Sequence, residues 1–185
     1  MKNTLIKAVF LDRDGVINYD KGHVGEIDRF EFIHGTIEAL KIIQKKGYVT
    51  LVVTNQSGIG KGLYTKEDFS RLTEYMNYKL VESGVKELQV FYCPYHPDGT
   101  IKKYKKDSYF RKPNPGMIEK AVNELKIDSE ASFMVGDNYS DIIAGKRAKI
   151  GTNILLKSDN YVEDEQIHKP DHIFKDLNEF AKWLN

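Results

Sequence analysis

Asp12 and Asp14 stand two residues apart at the end of a short apolar run, residues 8–11, and Gly15 follows them. A chain that leaves a strand between two such acids can project both into one site, and a glycine permits the turn. One carboxylate can then serve as nucleophile or metal ligand while the other moves protons. Alone, such a pair is more often a solvated turn, so the meaning depends on what else the chain brings to the same end of the sheet. Thr54-Asn55-Gln56-Ser57-Gly58 offers a hydroxyl, two amides and exposed N–H groups, a reasonable cradle for a phosphate or oxyanion. Gly58, Gly60 and Gly62 miss the dinucleotide spacing. Lys61 precedes Gly62 rather than Ser or Thr, and Asn55 occupies the first glycine position, which removes the P-loop reading. In Arg111-Lys112-Pro113, a lysine aimed at a carboxylate and a phosphate would screen their repulsion. Gly136-Asp137, with Asp141 four residues on, suits a hard oxygen-liganded cation such as Mg²⁺.

The elements that must carry these clusters read clearly. The continuous apolar run at residues 8–11 and the β-branched one at 49–53 have the character of strands buried on both faces, and 88–92, 133–135, 152–156 and a short 172–174 read as further strands. Helix-period segments alternate with them. Ile37, Leu40 and Ile43 run up to Gly47, and Phe69, Leu72, Met76 and Leu80 share one face of a long helix that Thr65 and Asp68 begin at capping-box spacing. Further helices are expected at 116–125, 141–148 and 177–184. Such alternation predicts a single α/β domain spanning 1–185, a Rossmann-like three-layer sandwich with a mainly parallel central sheet. Ligands of such sheets bind at the carboxyl ends of the strands, where all four clusters fall. Two long loops, 14–33 and 93–115, remain to shape a pocket. The intervals from Asp14 to Thr54 and from Asn55 to Lys112 are too full of other elements to hold a separate cap domain.

Composition narrows the classes. The 28 Lys and Arg against 27 Asp and Glu give a net charge of +1, far from the basic balance of a generic nucleic-acid binder. One cysteine, Cys93, permits no intrachain disulfide and fits a reducing compartment. No apolar run approaches the roughly 20 residues that span a bilayer, and residues 1–7 lead into no long apolar stretch. The expectation is a cytoplasmic protein with a small-molecule partner, neither nucleic acid nor membrane, and a monomer. The lysines Lys102, Lys103, Lys105 and Lys106 read as a solvated loop, with steering of an anionic substrate second. Outside the motifs, His34, His168 and His172 read as structural or surface residues, and Trp183 as docking the last helix.

Taken together, Phe10-Leu11-Asp12-Arg13-Asp14-Gly15, Val53-Thr54-Asn55, Arg111-Lys112-Pro113 and Val135-Gly136-Asp137 with Asp141 resemble the haloacid dehalogenase superfamily of aspartate-nucleophile phosphatases. Glu26-Ile27-Asp28, Phe30-Glu31-Phe32-Ile33, Cys93-Pro94 with His96-Pro97, and Pro115-Gly116-Met117 are most similar to its heptose-bisphosphate phosphatase branch, with the histidinol-phosphate phosphatases as near relatives. The resemblance implies Mg²⁺-dependent removal of the C7 phosphate of a heptose 1,7-bisphosphate, in nucleotide-activated heptose synthesis for a surface polysaccharide. The alternatives are another small phosphomonoester or a non-catalytic phosphosugar-binding module. It implies Asp12 as nucleophile, Asp14 as acid and base, and Thr54 and Lys112 on the phosphoryl oxygens. Mg²⁺ would be held by Asp12, the Asp14 carbonyl and Asp137, with Asp141 orienting them. Substrate contacts would come from Asp20, Lys21, Gly22, His23, Asn55, Gln56, Ser57, Arg111 and Asn138.

Two features depart from the branch. Its structural zinc is bound by three cysteines and a histidine, and the corresponding residues here are Cys93, Tyr95, Ser108 and Phe110. One ligand of four does not make a closed zinc site, so none is expected; either Tyr95, Tyr104, Tyr109 and Phe110 pack the loop instead or the loop stays mobile. Asn138 stands where the branch often has a lysine, which leaves the preferred anomer open.

Overall fold

The computed structural model describes residues 5–157 and 169–184; His168 lies outside them. Six strands form one parallel sheet: β1 (Ala8–Leu11), β2 (Val49–Asn55), β3 (Gln89–Cys93), β4 (Phe133–Gly136), β5 (Thr152–Leu156) and β6 (His172–Phe174). Their order is β3-β2-β1-β4-β5-β6. The helices between them are α1 (Thr36–Lys45), α2 (Ser57–Gly60), α3 (Lys66–Glu82), α4 (Gly116–Leu125), α5 (Tyr139–Arg147) and α6 (Leu177–Trp183). The sheet is thus parallel throughout the described residues rather than only mainly so.

Alternation along β1 builds both cores. Val9 and Leu11 face α1, α3 and α6 through Leu40, Ile43, Met76, Leu80 and Phe180. Ala8 and Phe10 face α4 and α5 through Met117, Ile118, Ala121 and Ala144. All four residues of β1 are fully buried, and each large one removed from water contributes about 1.5–3 kcal/mol. The strand that leads into Asp12 is therefore firmly seated in the sheet. Thr65 and Asp68 make the reciprocal capping box at the start of α3. At the chain's end, Trp183 packs its ring 4.6 Å from His172 and 5.3 Å from Phe174, which docks α6 on β6.

After β1 the chain winds outward to β2 and β3, then returns to place β4 on the other side of β1. The order reverses there, and a crevice opens at the carboxyl ends of the neighbouring strands. Leu11 is level with Val52 on one side and Val135 on the other. Asp12 and Asp137 consequently emerge side by side, next to Thr54.

Candidate active site

Three strand ends and the segment before α4 converge on one crevice of about 590 Å³. Its wall includes Asp12, Asp14, Thr54, Asn55, Lys112 and Asp137 at the floor, and Asp20, Gly22, His23, Arg111 and Asn138 nearer the rim. Glycines make the convergence possible. Gly15 has φ +82°, and a Cβ there would lie 2.0 Å from an Asp137 carboxylate oxygen. A Cβ on Gly136 would lie 2.1 Å from Asp141. Any side chain at either position would expel an acid from the site.

Lys112 is the electrostatic centre. Its ammonium has three donors, and three acceptors surround it: Val53 O at 2.7 Å, Asp12 at 3.0 Å and Asp141 at 2.7 Å. Burial opposes its charge, but Asp12 and Asp141 more than offset that, holding its pKa above the ordinary lysine value. Asn55 locks the lysine's backbone, donating to Lys112 O and accepting from its N–H, each at 3.0 Å. Asp141 is doubly committed: one oxygen meets Lys112, and the other accepts the Asn138 N–H at 3.1 Å to cap α5. Asn138 completes that cap by accepting from the Ser140 N–H at 3.0 Å.

Asp12, Asp137 and Asp141 each bring an oxygen within 4.8 Å of the others. Burial drives Asp12 up to about 7, with Lys112 opposing and Asp141 and Asp14 adding to the rise. Burial and the neighbouring Asp12 and Asp141 push Asp137 up to about 8. Acids crowded this closely, offering only oxygen, fit a hard divalent cation such as Mg²⁺, which would relieve their repulsion.

Asp14 sits in a different environment. Its carboxylate accepts from Arg13 at 2.8 and 2.9 Å, from Asn18 at 2.9 Å and from Gln56 at 3.1 Å. Arg13 is almost completely buried, lies 5.5 Å over the Phe69 ring and also donates to Val24 O.

Comparison with known proteins agrees with this geometry. The family described as HAD-hydrolase-like matches residues 109–180. The D-glycero-β-D-manno-heptose-1,7-bisphosphate 7-phosphatase of Photorhabdus laumondii is 48% identical over 177 residues, 96% of this chain and 94% of that protein. The chain belongs to the heptose-bisphosphate 7-phosphatase family. The Escherichia coli K12 member is 42% identical over 93% of this chain and 90% of its own. The D,D-heptose 1,7-bisphosphate phosphatase of B. bronchiseptica, complexed with magnesium and phosphate, superposes with a TM-score of 0.83 at 26% identity, covering 97% of this chain and 98% of that one. The family fixes the reaction class as hydrolysis of a phosphate ester.

Of the substrate contacts that sequence reasoning expected, two do not line the crevice. Lys21 pairs with Glu31 at 2.7 Å in solvent. The Gln56 side chain lies beneath the floor, 1% exposed, and bonds only inward. Ser57 lines the wall as the first residue of α2. Sequence reasoning did not reach Tyr64, which lines the crevice from between two glycine backbones. A Cβ on Gly25 or on Gly58 would each come within 2.1 Å of its ring. Nor did it give a role to Arg13. In the second loop, Cys93 is fully buried and its thiol pKa is raised by that burial. Tyr95 and Tyr104 pack edge to face at 5.9 Å, whereas Tyr109 and Phe110 are 57% and 42% exposed.

Proposed function

We propose that this chain removes the C7 phosphate of D-glycero-β-D-manno-heptose 1,7-bisphosphate. The observation that carries the reading is a buried aspartate–lysine pair beside a second raised carboxylate, in a chain matched nearly end to end by heptose-bisphosphate 7-phosphatases. The β anomer is the one named in those relatives.

In this reading an Asp12 oxygen forms a bond to phosphorus as the bond from phosphorus to the C7 oxygen breaks. Asp14 delivers its proton to the departing alkoxide. Asp14 then takes a proton from water, whose oxygen attacks phosphorus and releases Asp12 and inorganic phosphate. Transfer of this kind depends on in-line positioning and charge neutralisation. Lys112 holds the nucleophile and offsets its charge, and Thr54 faces the phosphoryl oxygens. Asp12, Asp137 and the Asp14 carbonyl would hold Mg²⁺, which supplies positive charge to the transferring group. Arg111, His23 and Asn138 line the rim, where the sugar and its second phosphate would lie. The buried thiol and near-zero net charge agree with work in the cytoplasm on a small anionic substrate.

Phosphorus NMR of the reaction tests the regiochemistry. The C7 ester signal should disappear into inorganic phosphate while the anomeric C1 phosphate persists; loss of the C1 signal first would overturn the reading.

A further inference from the structure

We propose that Gln56 is a positioning residue that aims two reacting groups at once, the proton carrier Asp14 and the phosphoryl-binding Thr54, and that Tyr64 holds it in place. The inference rests on the phosphatase reading above.

A primary amide has two N–H donors and one carbonyl acceptor, and every one of Gln56's is engaged. Its nitrogen lies 3.1 Å from an Asp14 oxygen and 2.9 Å from the Thr54 hydroxyl. Its carbonyl accepts the Tyr64 O–H at 2.6 Å. Asp14 already accepts from Arg13 and Asn18, so the amide nitrogen faces it as a further donor and the amide oxygen faces Tyr64. Burial raises the Tyr64 hydroxyl to about 12, so it keeps the proton it donates. Thr54 accepts from Gln56, and its own proton is left to point into the crevice at a phosphoryl oxygen. Asp14 receives Arg13 and Asn18 on one oxygen, and Arg13 together with Gln56 on the other. A carboxylate held on both oxygens presents its proton to the leaving group in one orientation. Gln56 itself is 1% exposed, which rules out ordinary contact with substrate. Tyr64 cannot swing away, because the Gly25 and Gly58 backbones clamp its ring.

The consequence is specific. Proton delivery matters for an alkoxide leaving group and little for p-nitrophenolate, which departs unprotonated. The full chain with Mg²⁺ is assayed on the heptose bisphosphate, a simple alkyl phosphate and p-nitrophenyl phosphate. Gln56→Met should lower kcat on alkyl esters by about 100-fold but on the aryl ester by only about 10-fold, with KM within about threefold on each. Tyr64→Phe keeps the clamped ring and loses one hydroxyl, so it should show the same selectivity at about fivefold on alkyl esters. It decides the matter if Gln56→Met does not fold. Equal losses on both ester types, or a change confined to KM, would overturn the proposal. A wild-type chain that hydrolyses simple esters but not the heptose bisphosphate refutes the substrate reading alone, and the ester comparison still judges Gln56. A chain that hydrolyses none refutes both.

Discussion

The floor and the rim of the crevice are built on opposite principles. At the floor, Lys112 and Asp141 are at most 1% exposed and Asp12 is 16% exposed, and bonds of 2.7–3.1 Å tie them to one another, to a strand end and to a helix cap. At the rim, the Lys21–Glu31 pair is 44% and 60% exposed, and residues 20–23 turn through positive φ at Gly22 and His23. That turn is held from outside by Arg29, which donates to Lys21 O at 2.6 Å and Gly22 O at 2.9 Å. A charge at the floor cannot lose its partner without leaving another buried and unpaired, whereas water screens every pair at the rim. In the proposed reading, phosphoryl transfer sits on the frame of the sheet, and sugar recognition on a surface loop that can vary without disturbing it.

Breaking the floor should give the largest effects. Asp12→Asn removes the proposed nucleophile while keeping its shape, and phosphate release should fall by about 10⁴-fold or more at saturating Mg²⁺. Lys112→Met strands the buried Asp141 carboxylate, so denaturant unfolding should show a loss of about 3 kcal/mol alongside lost turnover. Metal removal should sharpen the same contrast. Asp12 and Asp137 titrate near 7 and 8 in the metal-free fold against an ordinary 3.8, so the folded state holds protons the unfolded chain has shed. The stability they contribute is therefore full below about pH 4 and is lost as pH rises through about 7 to 8. Mg²⁺ binds the ionised forms, so the rise in melting temperature it produces should grow between about pH 6 and 8. The smallest effect belongs to the rim: Arg29→Ala should raise KM for the heptose bisphosphate by about three- to tenfold and leave kcat nearly unchanged.

The same contrast governs what the sequence disclosed. A strand such as Ala8–Leu11 announces itself because burial on both faces demands an unbroken apolar run. Asp12, Thr54, Lys112 and Asp137 were legible because they close those strands or match a spaced motif. What escaped is what depends on contacts distant in sequence. Gly25 and Gly58 look like loop flexibility, yet they make room for Tyr64, a tyrosine with no motif of its own. Gln56 reads as a pocket amide because its neighbours are, and only the fold turns it inward toward Asp14. Arg13 was hidden by its position between two conspicuous acids, one of which it holds.

The most direct test is the rate of phosphate release from the β and α anomers of the heptose 1,7-bisphosphate and from histidinol phosphate, each with Mg²⁺, with EDTA and with Asp12→Asn. The account predicts Mg²⁺-dependent release that is fastest from the β anomer and abolished by Asp12→Asn. Faster release from histidinol phosphate, or release that survives Asp12→Asn, would contradict it.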